Sequence, residues 1–248
     1  GPHMNYGMSA DLVLLSLVSP ARGIILTRNR EAEGLYVDDL RQSLAESLGK
    51  PEAVDDFVLL ASLLGNDVLP IMPIFSAVEA SWEYLIQIYK IFAQNYPTTL
   101  IVDGKVDVPA LFTFMSYLNA YSEQLLNENR EHQKQLRYKS SILVDEGNLN
   151  EKGTLDVDKF RLAWNMRFFQ PRALDVSTAI ENAVNQNADT EYHVGTTLDD
   201  ITKMANDYVR TLVWVYNYYK HGTKVINLEW AYTYYFAPHP AEITYVLE

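Results

Sequence analysis

The stretch Asp55-Asp56-Phe57-Val58-Leu59-Leu60-Ala61-Ser62-Leu63-Leu64-Gly65-Asn66-Asp67-Val68-Leu69-Pro70 reads as a buried helix followed at once by a tight turn. Val54, Phe57, Val58, Ala61 and Leu64 recur on one helical face, Pro51 suits a first turn, and Gly65 is a stop. Asp55 and Asp56 stand ahead of the apolar residues, where helix capping is the plain reading. Asp67 follows Gly65 and Asn66. It is either a turn residue, as Gly, Asn and Asp commonly are, or an oxygen ligand for a cation.

Upstream, Leu40, Leu44 and Leu48 keep helical spacing up to Gly49. The apolar run Asp11 to Val18, stopped by Ser19-Pro20, is expected as a strand buried on both faces. Gly23 to Thr27 is expected as a second strand. Gly1-Pro2-His3-Met4 reads as a cloning scar and is set aside from the fold.

Downstream, Val78, Trp82, Leu85, Ile86, Tyr89 and Phe92 predict an amphipathic helix. Asp103-Gly104 between short apolar pairs predicts a two-residue hairpin. Asp107 can cap the next helix, which carries Leu111, Phe112, Met115 and Leu118. Arg130, Lys134, Arg137 and Lys139 form a charged segment, read as a solvated face or a track for phosphates. Residues 145–158 read as a loop, a helix is expected around Phe160–Phe169, and residues 177–195 are polar again. Thr197 with Asp200 resembles a capping box opening a helix to about Lys220, closed by Gly222. An aromatic tract, Trp230 to Pro238, follows.

The 248 residues allow one large domain or two small ones at roughly 100–200 residues each. Hydrophobic residues at 48% supply a core, which excludes wholesale disorder. A net charge of −12 argues against non-specific wrapping of duplex nucleic acid, while leaving room for a carboxylate metal site. The absence of cysteine excludes disulfides, thiolate metal sites and cysteine nucleophiles. No apolar run reaches the roughly 20 residues that a membrane helix needs, and there is no signal-peptide pattern. The expected location is intracellular, cytoplasmic or nuclear.

Two groups of residues can carry chemistry. Asp11 and Asp67 offer carboxylates for magnesium, although two cations about 3.5–4 Å apart need more than one such pair. Trp214 is the other focus. At roughly 100° per residue, Ile201, Met204, Tyr208, Leu212, Val215 and Tyr219 share one stripe of their helix. Trp214 lies away from it, near Lys203, Arg210 and Asn217. It packs on a second element, or it offers a stacking face to an RNA base beside cations that meet phosphate. The tract from Trp230 has the same two readings, with core packing the favoured one.

These pieces occur in a familiar order. Tyr6-Gly7-Met8-Ser9-Ala10-Asp11-Leu12 resembles the Y-G-L-D-A-D-L motif of the XRN-type 5′→3′ exoribonucleases. Asp55 to Val58 with Gly65 to Pro70 resembles their D-D-F-V and G-N-D-F-L-P segments. Gly104-Lys105-Val106 is similar to their N-G-K-V hairpin. Tyr208 to Gly222 resembles Y-V-x-G-L-x-W-V-L-x-Y-Y-Y-x-G, and Trp230 to Pro238 resembles W-Y-Y-P-Y-H-Y-A-P.

The resemblance implies a mostly α fold: an α/β remnant of a PIN/FEN-like nuclease domain, plus a mainly helical second conserved region. It implies a division into 5–128 (C-terminal part of the nuclease domain), 129–196 (linker or variable helical segment) and 197–248 (helical and aromatic region), after the scar at 1–4. It implies a hydrolase: removal of nucleotides from 5′-monophosphorylated single-stranded RNA, with Mg2+ or Mn2+ on Asp11 and Asp67 and with RNA meeting Trp214, Arg210 and Trp230.

The departures are specific. Ser9 stands where the family has the first Asp of D-A-D, a lost ligand position. Ile71-Met72-Pro73 replaces H-L-P. Tyr235 and Phe236 replace His and Tyr, Leu228 replaces the first Trp of W-x-W, and the segment from Gly222 to Trp230 is longer than usual. By the resemblance, the half of the family core that precedes this chain supplies most metal carboxylates and the 5′-phosphate pocket. The expectation is therefore a nuclease portion that binds metal weakly or not at all and is silent on its own. Its partners would be RNA and an N-terminal nuclease half. The alternative is a pseudo-nuclease kept as an RNA- or protein-binding scaffold.

Overall fold

The computed structural model describes residues 3–6, 9–27, 34–75, 78–135, 142–168 and 198–248. Helices dominate, as expected. A small sheet runs in the order β1 (His3–Tyr6), β2 (Ile24–Thr27), β3 (Gly34–Tyr36), with β1 parallel and β3 antiparallel to β2. His3 and Met4, set aside in the sequence reading, pair with Ile24 and Ile25 in β1.

The run beginning at Asp11 is a helix, α1 (Ala10–Val18), and not a strand. Ser9 decides this locally. Its backbone is extended and its Oγ accepts from Leu12 N at 3.2 Å, satisfying one orphan donor of the first turn. Asp11 adds a negative charge beside the positive end of the helix. A continuous apolar run of this length has no periodicity to separate strand from buried helix. The far end is closed by Arg41, which donates to the carbonyls of Ser16, Leu17 and Ser19.

α2 (Val37–Leu48) ends at Gly49, whose φ of 81° gives the left-handed cap. α3 (Ala53–Ala61) continues as one 3-10 turn, Ser62–Leu64. The chain then doubles back. Asn66 Oδ1 accepts from Val68 N and Leu69 N, both at 2.8 Å, and Met72 N reaches Leu63 O at 3.0 Å. A Cβ on Gly65, at φ +87°, would lie 3.1 Å from Ile71 N, so the turn needs glycine there. Asp67 sits exposed at its apex.

α4 (Val78–Asn95) and α5 (Val108–Gln135) flank the hairpin β4 (Ile101–Val102) and β5 (Lys105–Val106). Asp103 and Gly104 both have positive φ, the two-residue turn that the sequence predicts. Asp107 caps α5 through Ala110 N at 2.9 Å. α5 runs unbroken across residue 128, where the sequence reading divides the chain.

Arg130 on α5 departs from both sequence readings of the charged segment, whereas Lys134 fits the solvated face. Arg130 is buried and donates to Leu143 O at 2.7 Å, fastening the following 3-10 turn. Lys134 pairs with Glu131 on the surface. Arg137 and Lys139, residues 177–195 and Thr197 lie outside the described residues.

α6 (Val157–Phe168), α7 (Leu198–His221) and α8 (Pro240–Leu247) complete the body, with α8 packed on α5 and α7. The core joins Leu17, Leu26, Tyr89, Phe92, Phe114, Tyr208, Tyr232 and Ile243 in one continuous cluster. Among the described residues, no helix is long and apolar enough to cross a membrane.

Candidate functional site

α7 organises the candidate site because two of its faces meet different residue groups. Its C-terminal turns face α1 and α3. Tyr219 donates its hydroxyl to Asp11 Oδ1 at 2.7 Å. Tyr216 donates to Asp55 Oδ2 at 2.8 Å, and Lys220 Nζ lies 2.9 Å from the same oxygen. Burial pushes the Tyr219 phenol up, followed by its bond to Asp11 and the charges of Asp11 and Asp67. Asp11 bonds this hydroxyl, whereas Asp67 bears on it only through its charge.

The capping reading of Asp55 and Asp56 is corrected. Glu52 occupies the cap position of α3, with no side-chain cap bond. Asp55 instead ties α3 to α7. Asp56 is fully buried and accepts from Tyr89 Oη (2.6 Å), Leu100 N (2.8 Å) and Ile101 N (2.8 Å). Burial pushes its carboxyl up to about 6 against those three bonds.

The donor chemistry around Tyr219 fits a hard divalent cation only in part. Magnesium is commonly held by one or two carboxylates with waters and substrate phosphate. Asp11, half-buried, and Asp67, exposed, supply that number. Ser9 adds no charge, and its Oγ already serves as the cap of α1. Among the described residues, no group of three or more His, Cys, Asp or Glu is placed to hold a metal. Such a pair suits a share of one cation site and does not suit a complete two-cation site.

The other face of α7 gathers the residues predicted to meet RNA. The Arg210 guanidinium lies 3.7 Å over the Trp230 ring, and Trp230 Nε1 donates to Thr211 Oγ1 at 3.0 Å. Trp214 packs on a second element: its Nε1 donates to Asn227 O at 2.8 Å, and its ring stacks on Tyr218 at 5.7 Å and 14°. Trp214, Arg210 and Trp230 therefore share one surface. Farther along the tract, Tyr232 and Tyr234 are core residues, and Tyr232 packs edge-on against Tyr208.

The sequence reading misses Tyr216, Tyr219 and Lys220 as site residues. Their spacing of three and four places them on one helical face. That spacing shows a face and does not show which acids it meets.

A family model described as the Xrn1 helical domain matches residues 50–194, more than half of the chain. The chain belongs to the XRN-type exoribonuclease family. It is 20% identical to human 5′-3′ exoribonuclease 1 over 297 aligned positions, which cover 97% of this chain and 17% of that protein. It is 28% identical to 5′-3′ exoribonuclease 2 of Saccharomyces cerevisiae over 95 residues, 35% of this chain and 9% of that one. With the Eremothecium gossypii 5′-3′ exoribonuclease 2 it shares 26% over 134 residues, 49% of this chain and 14% of the relative. This XRN-type chain spans less than a fifth of each of these relatives.

Proposed function

We propose that the chain is a portion of a 5′→3′ exoribonuclease acting on 5′-monophosphorylated single-stranded RNA, and that it is inactive alone. The observation that carries this reading is Asp11, at a family motif position, held by Tyr219 at 2.7 Å in a chain of this family. The sheet β1–β3 with α1 is read as the edge of a PIN/FEN-like nuclease domain. Asp11 and Asp67 would hold Mg2+ or Mn2+. When bound, such a cation neutralises phosphate charge and lowers the pKa of a bound water. Tyr219 orients Asp11 by fixing one carboxylate oxygen. Asp55, held by Tyr216 and Lys220, fastens α7 to α3 and so keeps Tyr219 in register. Trp214, Arg210 and Trp230 offer aromatic faces and a cation to single-stranded RNA.

Ser9 supports a second reading, a pseudo-nuclease kept as an RNA- or protein-binding scaffold. A neutral hydroxyl that caps α1 does a structural job without contributing to a cation site.

The test is magnesium-dependent degradation of 5′-monophosphorylated single-stranded RNA. The chain is assayed alone and then with the preceding half of a family nuclease core added. Mononucleotide release only in the mixture, lost in Asp67→Ala, is the expected result. No release in the mixture, with association confirmed and with Ser9→Asp equally silent, overturns the nuclease reading in favour of the scaffold.

A further inference from the structure

Away from that site, α5, α6, α7 and α8 border an open groove of about 700 Å3. Its floor holds a charge cluster that no part of the nuclease reading uses. Arg161 bonds Glu242 Oε1 through Nε (3.0 Å) and Nη2 (2.9 Å), and bonds Asp158 through Nη1 at 2.9 Å. Asn165 Nδ2 turns to the same Glu242 oxygen at 3.4 Å, which fixes the orientation of its amide. Asn165 and Glu242 are more than nine-tenths buried, at 5% and 7% exposure. Yet among the described residues Asn165 Oδ1 and Glu242 Oε2 have no side-chain donor.

Two buried acceptors in one place lack a donor, and a buried acceptor left unmet is costly to keep. His239 does not fill the need. Its Nδ1 accepts from Ala241 N and lies 3.9 Å from Glu242 Oε2. Burial pushes its pKa down to about 3, so the ring is neutral. Burial also pushes the Glu242 carboxyl up, with the Arg161 charge pulling against it. The groove wants hydrogen-bond donors, and positive charge suits it best, since among its described lining residues Asp158, Glu242 and Glu248 outnumber the cation Arg161.

The rim is apolar. Leu162, Leu198 and Tyr245 are 61%, 63% and 58% exposed around one opening. Scattered exposed apolar residues need no explanation, but three around a groove with an unsatisfied floor mark a binding surface. An acidic floor repels the phosphates of RNA and favours a cationic occupant. A polyamine would match the floor and leave the rim uncovered.

We propose that this groove binds a segment of a partner protein in which Arg or Lys stands beside large apolar residues. The cation donates to Glu242 Oε2 and Asn165 Oδ1, and the apolar neighbours cover Leu162, Leu198 and Tyr245.

Selection of phage-displayed random dodecapeptides on the chain tests this, with counter-selection on the double variant Leu162→Ser/Tyr245→Ser. Both positions are exposed, so the variant keeps its fold, and a matching circular dichroism melt confirms it. Enriched peptides should carry Arg or Lys next to Leu, Phe or Trp. As synthetic peptides they should bind the double variant, and separately Asn165→Leu, about tenfold more weakly, a change of about 1.4 kcal/mol. No enrichment, a consensus without a basic residue, or equal binding to the double variant overturns the proposal. Displacement of the peptides by spermidine at equal concentration also overturns it, in favour of a polyamine site.

Discussion

Tyr219 and Asp11 are 208 positions apart and share a 2.7 Å hydrogen bond that joins α7 to the first turn of α1. Two substitutions separate its roles. Tyr219→Phe removes the donor and leaves a half-buried carboxylate to water, so unfolding free energy should fall by about 1 kcal/mol. Asp11→Asn keeps an acceptor for Tyr219 and removes only the charge. Its stability should stay within ~0.5 kcal/mol of the parent, while the assembled nuclease should lose activity about a hundredfold or more. Urea titrations and RNA degradation measure the two effects. A large stability loss in Asp11→Asn with activity retained would make the acid purely structural.

Asp56 predicts a pH dependence of definite sign. Its carboxyl is pushed up to about 6 in the folded chain, above its ordinary value. The folded state therefore holds the proton more tightly than the unfolded state between roughly pH 4 and 6. Stability should fall as pH rises through that window, by at most about 3 kcal/mol, since each tenfold difference in proton affinity is worth about 1.4 kcal/mol. Glu242, also pushed up, contributes in the same direction. In Asp56→Asn an amide NH2 faces one of the N–H groups of Leu100 and Ile101. The variant should lose about 1–3 kcal/mol near neutral pH, and its pH slope should flatten without vanishing. Urea unfolding at stepped pH reads both.

Arg41 should matter more than a half-exposed surface arginine would. It serves the carbonyls of Ser16, Leu17 and Ser19 at the end of α1, and it also pairs with Asp38. The Gly23 N–H, and then Arg41, hold the Asp38 carboxyl below the usual range. Arg41→Ala should cost about 2–3 kcal/mol through the lost charge-assisted bonds. Arg41→Lys should recover little, because one ammonium cannot reproduce the guanidinium fork. Recovery to within experimental error by Lys would show that charge alone is what α1 needs.

Trp214 separates packing from RNA contact. Trp214→Phe keeps an aromatic face on Tyr218 and loses the bond to Asn227 O, at a cost of about 1 kcal/mol. RNA affinity of the assembled protein should barely change in Trp214→Phe. It should fall about tenfold in Trp214→Ala, in line with one stacked base. Equal affinities for all three would remove Trp214 from the RNA surface.

Local signals are the legible ones. Gly49, Gly65, the Asp103-Gly104 turn and the Asp107 cap are each specified within a few residues, and the sequence predicts them correctly. α1 is misread because an unbroken apolar run carries no period, and Ser9, read as a missing ligand, is also its cap. Asp55 and Asp56 are misread because their partners lie far off: Tyr216 is 161 positions away and Leu100 is 44. Arg130 is misread because charge alone suggests solvent, whereas the Leu143 carbonyl accepts its N–H inside the protein. Asp11 and Asp67 are legible as acids at motif positions. Tyr219, which bonds Asp11, falls on the apolar stripe when helical geometry alone is used.

The last turn of a helix is ordinarily where fraying begins, yet the end of α7 is held by three distant segments. Tyr216 and Lys220 reach Asp55, Tyr219 reaches Asp11, and His221 Nε2 lies 3.0 Å from Gly104 O on the hairpin. Amide hydrogens there cannot open singly, because each opening must release α1, α3 or the hairpin as well. The end of α7 should therefore exchange with solvent as one cooperative unit, more slowly than its beginning. A helix terminus becomes the slow-exchanging junction of the molecule.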